Sequence, residues 1–111
     1  MSQYYTLEKV NELADGDMSF ITVLVQTFLE EIPSDIKRLT ESINAGNATV
    51  AYQFAHKMKP SFQLFSIEVL NYVKIIESWS TGEVGQEEAE FALKNILEKS
   101  NSAIEEMKKD F

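Results

Sequence analysis

Apolar residues recur at intervals of three and four along most of this chain, which is the spacing of one face of an α-helix. The longest such series predicts a helix of about 28 residues that begins at Met18. Its apolar positions are Met18, Ile21, Val25, Phe28, Ile32, Ile36, Leu39 and Ile43. Pro33 lies within the series, and because the pattern continues on both sides we expect a local kink there. No stretch alternates as a strand would, so the sequence predicts an all-α protein.

Turn and cap residues divide the rest of the chain into further helices. Thr6 is predicted to cap a short first helix that ends near Ala14, and Asp15-Gly16-Asp17 then supplies a turn and the cap of the long helix. Asn44-Ala45-Gly46-Asn47 predicts a tight turn into a third helix. The buried face of that helix is predicted to be Ala48, Ala51, Ala55, Met58 and Phe62.

The last two helices follow the same pattern. Ser66 is predicted to cap a fourth helix that ends near Trp79 and Gly82. Its apolar face is Ile67, Leu70, Val73 (or Tyr72) and Ile76. A loop at residues 81–85 precedes a fifth helix, whose acidic start and basic end both favour helix. These charged residues are Glu87, Glu88, Glu90, Lys108 and Lys109, and the apolar stripe is Ala89, Leu93, Ile96, Ser100, Ala103 and Met107, with Leu97 and Ile104 beside it.

Four long amphipathic helices joined by short turns predict one domain over residues 1–111. The expected architecture is an antiparallel four-helix bundle, with the short first helix lying across one end. The chain has 18 acidic and 10 basic residues, so its formal net charge of −8 makes nucleic acid and anionic membranes poor partners.

The lack of cysteine and the residues at the start of the chain indicate the cellular compartment in which the protein is expected. The absence of cysteine excludes disulfides and thiolate chemistry and fits a cytoplasmic setting. No segment approaches the roughly 18 apolar residues of a spanning helix, and Met1–Tyr5 lacks the basic and apolar regions of an export signal. We therefore expect a cytoplasmic protein.

Few residues are suited to chemistry, and the only histidine, His56, is the main one. The four glycines form no phosphate-binding loop, and adjacent glutamates on a helix point about 100° apart and do not share a site. One histidine cannot supply the two Glu-x-x-His motifs of a di-iron bundle, so no metal site and no intrinsic cofactor are expected. His56 points ~120° from the apolar stripe of its helix and should face solvent. On composition alone, an ordinary surface histidine is the simplest interpretation.

The segment Phe54-Ala55-His56-Lys57-Met58-Lys59-Pro60-Ser61 resembles the signature of histidine-containing phosphotransfer (HPt) domains. In that family an exposed helix histidine is followed three positions later by a lysine and then by a small residue. Phe28-Leu29-Glu30-Glu31-Ile32-Pro33, ahead of an Ala-Gly-Asn turn, resembles the family's second helix, so the similarity extends over nearly the whole chain. The chain departs from the family at two positions that usually hold glycine, where it has Pro60 and Ser66.

The resemblance implies a phosphorelay carrier without autonomous kinase activity. His56 would accept a phosphoryl group at Nε2 from a receiver-domain aspartyl phosphate and pass it to another receiver, with electrostatic assistance from Lys59. Weaker candidates for contacts to the phosphate or to a docked partner are Lys57, Gln53, Pro60 and Gln63.

The implied partners are response-regulator receiver domains and a hybrid sensor histidine kinase. The Mg²⁺ for the reaction would be bound by the receiver, and the carrier is expected to be a monomer. An apolar docking patch drawn from Ile21, Val25 or Tyr52 is a further interpretation. Two alternatives stay open: a non-catalytic helical-bundle interaction module, and a small enzyme with a carboxylate site.

Overall fold

The protein is described by a computed structural model that covers residues 4–111, so Met1, Ser2 and Gln3 of the segment considered for an export signal lie outside the described residues. The five helices are α1 Glu8–Ala14, α2 Met18–Asn44, α3 Ala48–Leu64, α4 Leu70–Ser80 and α5 Gln86–Asp110. No strand occurs in the described part of the chain, which confirms the all-α class.

The predicted start of the long helix is confirmed, but the predicted cap of the short one is wrong. Oδ1 of Asp17 accepts hydrogen bonds from the backbone N–H groups of Ser19 (2.9 Å) and Phe20 (3.4 Å), as an N-cap does. Residue Leu7 occupies the N-cap position of α1 and offers no side-chain hydrogen bond. The Thr6 N–H instead donates to the Phe65 carbonyl at 2.9 Å, which ties the start of the described chain to the end of α3.

The turn between α2 and α3 is confirmed at the predicted residues. Gly46 has a φ of 69°, and its N–H donates to the Ile43 carbonyl at 3.0 Å while the Asn47 N–H donates to that of Ser42 at 2.8 Å. This hydrogen-bond pair is the Schellman motif that closes many helices. The Asn47 side chain then accepts from the Val50 N–H at 3.2 Å and caps α3. Within α2 itself, the helix runs unbroken through Pro33.

Ser66 does not cap α4, which corrects the prediction. Its φ is 55°, and the same pair of hydrogen bonds closes α3: Ser66 N–H to Gln63 (3.2 Å) and Ile67 N–H to Phe62 (2.9 Å). An N-cap serine needs an extended backbone, which this left-handed conformation excludes. The fourth helix therefore begins only at Leu70, after a short buried segment that contains Ile67 and Val69.

The predicted apolar faces form the core, with a few exceptions. Every residue of the α2 series is buried except Met18, which lies at the first position of the helix and is 61% exposed. At the start of α4, Leu70 is 37% exposed, and the preceding residue, Val69, fills the core beside Val73 and Ile76. On α3, Ala48 is only partly buried, whereas Ala51 and Ala55 are fully buried. Their small side chains let the backbone of α3 approach its neighbours closely.

The helices α2, α3, α4 and α5 pack in a closed series. Helix α3 contacts α2 on one side and α4 on the other, while α5 contacts both α2 and α4, and α1 packs against α2. The domain is elongated, with principal extents of 43 × 22 × 20 Å. Within residues 4–111, no helix is long and apolar enough to cross a membrane.

Candidate functional site

His56 lies on the outer face of α3, as its place in the helical pattern predicts. The preceding residue, Ala55, is fully buried, while His56 itself is exposed. Among residues 4–111 no group hydrogen-bonds the imidazole, so neither ring nitrogen is occupied by an intramolecular partner. The ring is thus held near the protein surface with both nitrogens available for chemistry.

One face of the imidazole is covered by Tyr52, which lies one helical turn earlier. The two ring centroids are 5.6 Å apart and the planes differ by 14°, so the rings are stacked. Tyr52 is 36% exposed and belongs to the surface around His56. Ile21 and Val25, which the sequence also offered for an apolar docking patch, are buried in the core and cannot contribute to one.

Lys57 joins α3 to α2. Its Nζ lies 2.8 Å from Oδ1 of Asp35, a carboxylate that is buried in α2 at 5% residue exposure. The hydrogen bond to Asp35 raises the pKa of the Lys57 ammonium, so the group stays protonated. Because 58% of the Lys57 side chain is still exposed, its positive charge also faces solvent next to His56. Asp35 thus gives Lys57 a structural contact that the sequence did not reveal.

Lys59 joins α3 to α4 more loosely. Its Nζ lies 3.8 Å from Oε1 of Glu77, beyond the length of a hydrogen bond, and the two side chains are 38% and 29% exposed. Successive helix residues are turned by about 100°, so Lys57 and Lys59 lie on opposite flanks of His56. The histidine therefore stands on a ridge of α3 between an ion pair to α2 and an ion pair to α4.

The three weaker candidates other than Lys57 are all exposed on α3. Pro60 lies four residues after His56 and has no N–H to donate to the His56 carbonyl, yet α3 continues past it to Leu64. Gln53 lies one turn before the histidine and Gln63 two turns after it. No side-chain hydrogen bond joins either glutamine to the imidazole within the described residues, although the Gln63 carbonyl accepts from Lys9 Nζ at 3.3 Å. These residues share the face of His56 without contacting its ring through polar groups.

The distribution of acidic residues marks the same helix. The chain has 18 acidic residues, yet none lies between Glu41 and Glu68, and α3 is the one helix of the five without a carboxylate. An incoming anion therefore meets no like charge from the helix that carries His56. A count of acidic residues along the sequence could have found this feature.

Within residues 4–111, no group of three or more histidine, aspartate or glutamate side chains is placed to hold a metal ion. Comparison with known proteins gave no match: no family model, no curated protein and no solved structure is significantly similar to this chain.

Proposed function

We propose that this protein is a phosphorelay carrier of the HPt class, in which His56 accepts a phosphoryl group from one receiver domain and donates it to another. The observation that carries the proposal is the exposed imidazole of His56, which has no hydrogen bond to any of residues 4–111 and lies on a helix without a carboxylate. A histidine with such access can be reached by a second protein, which a relay requires.

The proposed reaction needs little from the carrier beyond this access. In its neutral form an imidazole carries a lone pair on one ring nitrogen, and that nitrogen can act as a nucleophile. Its Nε2 attacks the phosphorus, a P–N bond forms, and the P–O bond to the aspartyl carboxylate breaks, with the electron pair leaving on that carboxylate. The proton on Nδ1 stays on the ring during the attack. The reverse step transfers the group to the next receiver aspartate.

The charges around His56 suit a phosphoryl group. A phosphoryl group on a protein side chain carries roughly −1.5 to −2 charge near pH 7 and three acceptor oxygens. Lys59 lies one turn from His56, where helix neighbours are about 5–6 Å apart at Cβ, and its ammonium can reach those oxygens. Lys57 adds a second positive charge on the other flank. The absence of carboxylates from α3 leaves these attractions unopposed by the helix itself.

The helix packing and the resemblance support the same proposal. We interpret the closed series α2, α3, α4 and α5 as an antiparallel four-helix bundle, with α1 as the added short helix. The family's usual glycine near the end of the motif corresponds to Ser66, whose φ of 55° is a conformation that glycine adopts most easily. The chain therefore keeps the backbone that the family's glycine favours even though the side chain differs.

The proposed partners are response-regulator receiver domains and a hybrid sensor histidine kinase in the cytoplasm. The receiver would supply the Mg²⁺ and most of the electrostatic stabilisation of the transferring phosphoryl group, as phosphoryl transfer requires. The carrier would then act as a monomer with no kinase activity of its own.

Incubation with receiver domains that carry a radiolabelled aspartyl phosphate tests the proposal. We expect label to move to the protein and to be labile in acid but stable in alkali, as a phosphoramidate is. The His56→Gln variant should take up no label, while its helical circular dichroism and unfolding midpoint stay close to those of the unmodified chain. Transfer from no receiver of the host's full set, or label that persists in His56→Gln, would overturn the assignment.

A further inference from the structure

The two lysines beside His56 differ in the strength of the ion pairs that they form. Lys57 is bound at 2.8 Å to a buried carboxylate, whereas Lys59 is 3.8 Å from a carboxylate that is itself partly exposed. Because a buried carboxylate left without its partner carries a large desolvation cost, Lys57 is not free to leave Asp35. An exposed pair at the longer distance gains little from staying together. Lys59 is therefore the cation that can change partners.

We infer that Glu77 is a positioning residue that competes with a phosphorylated His56 for Lys59 and so keeps the phosphohistidine easy to discharge. The inference rests on the proposed function. Glu77 and a phosphoryl group on His56 attract the same ammonium, and pairing with one of these anions weakens its attraction to the other. The carboxylate on α4 lowers the net attraction of Lys59 for the phosphoryl group.

Such competition has a direct consequence for a relay. A carrier that bound its phosphoryl group too strongly would accept it readily but pass it on slowly, since the same interaction must be lost in the next transfer. Glu77 offsets part of the Lys59 attraction and so shifts the exchange between phosphohistidine and phosphoaspartate towards phosphoaspartate. Removal of its charge should therefore favour the phosphorylated carrier.

The test is a double-mutant cycle on Lys59 and Glu77, read out as the equilibrium distribution of label between a receiver and the carrier. We expect Glu77→Gln to shift the equilibrium towards phosphorylated His56 by about two- to fivefold, the range that an exposed ion pair can supply. Lys59→Ala should shift it the other way. In the Lys59→Ala background, Glu77→Gln should have no further effect, because the cation through which it acts is gone.

A matched control removes the same charge elsewhere. Glu98 is exposed on α5, a helix that does not form a main contact of α3, and Glu98→Gln should leave the equilibrium unchanged. An unchanged equilibrium in Glu77→Gln, or an equal shift in the Lys59→Ala background, would overturn the inference while the relay function stands. An unlabelled wild-type protein would overturn the proposed function itself. The unfolding midpoints of all variants, measured in parallel, should agree within the range of other exposed substitutions.

Discussion

The two faces of α3 differ in burial and in the contacts that their side chains make. On the inner face the residues Ala51, Ala55, Met58 and Phe62 are completely or almost completely buried and form part of the core. On the outer face His56 is exposed, and the contacts of this face within the described residues include one ring stack and two ion pairs. Packing of the inner face therefore sets the position of His56, while the residues of the outer face form its chemical surroundings. Substitutions on the two faces should therefore separate stability from transfer.

The two flanks of the outer face differ in the strength of their ion pairs. The α2 flank is fixed by Lys57 on a buried carboxylate, whereas the α4 flank is held only by the looser Lys59 pair. In the exchange of partners inferred for Lys59, the Lys57–Asp35 pair would keep the helix in position.

The largest expected effect comes from breaking the inner face. Phe62 is fully buried, and Phe62→Ala should lower the free energy of unfolding by about 3–5 kcal/mol, because it removes buried apolar surface and leaves a cavity. The matched change on the outer face, His56→Ala, should alter that free energy by at most about 1.5 kcal/mol, the largest cost expected from losing the stack on Tyr52. Urea denaturation followed by circular dichroism measures both. Similar losses for the two variants would contradict the division of α3 into a structural and a functional face.

A smaller effect is expected from the ring stack within the outer face. Tyr52→Ala should slow phosphoryl transfer to His56 by about two- to tenfold, since a stacked aromatic pair is worth ~0.5–1.5 kcal/mol and here restricts the orientation of the imidazole. Tyr52→Phe keeps the ring and should keep the rate. Single-turnover transfer from a labelled receiver measures the rate, and NMR of the free protein should show a more mobile His56 ring only in Tyr52→Ala. Equal rates for wild type and Tyr52→Ala would exclude a positioning role.

The sequence predicted the inner face better than the outer one for a physical reason. The spacing of apolar residues in α2 and α3 reports burial directly, and the turn at Gly46 follows from residue types with narrow backbone preferences. The outward direction of His56 follows from the same periodicity. The ion pairs join different helices, so no local spacing encodes the contacts of Asp35 or Glu77. The Tyr52 stack is an i, i+4 pair and could have been anticipated.

Serine is the residue type that misled the prediction at the end of α3. Its hydroxyl makes it a good N-cap in one backbone conformation, but a serine in the left-handed conformation closes the previous helix, and residue type alone does not choose between these. At Ser66 the choice is made by burial of Ile67 and Val69, which brings the chain back to the core before α4 begins. The exposed Met18 and Leu70 arise similarly, because the first turn of a helix can project beyond the packed region.

The smallest expected effect is that of a substitution at Ser66, between α3 and α4, on the free energy of unfolding. The sign of this change is more informative than its size. The ends of α2 and α3 are closed by the same pair of hydrogen bonds, with Gly46 at a φ of 69° in one and Ser66 at 55° in the other. A non-glycine residue in the left-handed region is disfavoured by roughly 1–2 kcal/mol, part of which glycine returns through its greater freedom in the unfolded chain. We therefore expect Ser66→Gly to raise the free energy of unfolding by about 0.5–1 kcal/mol.

The reciprocal substitution, Gly46→Ser, should lower the free energy of unfolding by a similar amount. Among the described residues, a Cβ at Gly46 would meet Gln86 Oε1 alone, at 3.9 Å, so backbone conformation and not crowding determines the result. Urea denaturation of the two variants measures both changes. A loss of stability in Ser66→Gly would mean that the serine side chain supports the turn in a way that backbone geometry does not explain. A gain, with phosphoryl transfer to His56 unchanged, would show that this junction belongs with the inner face of α3 and contributes to the fold alone.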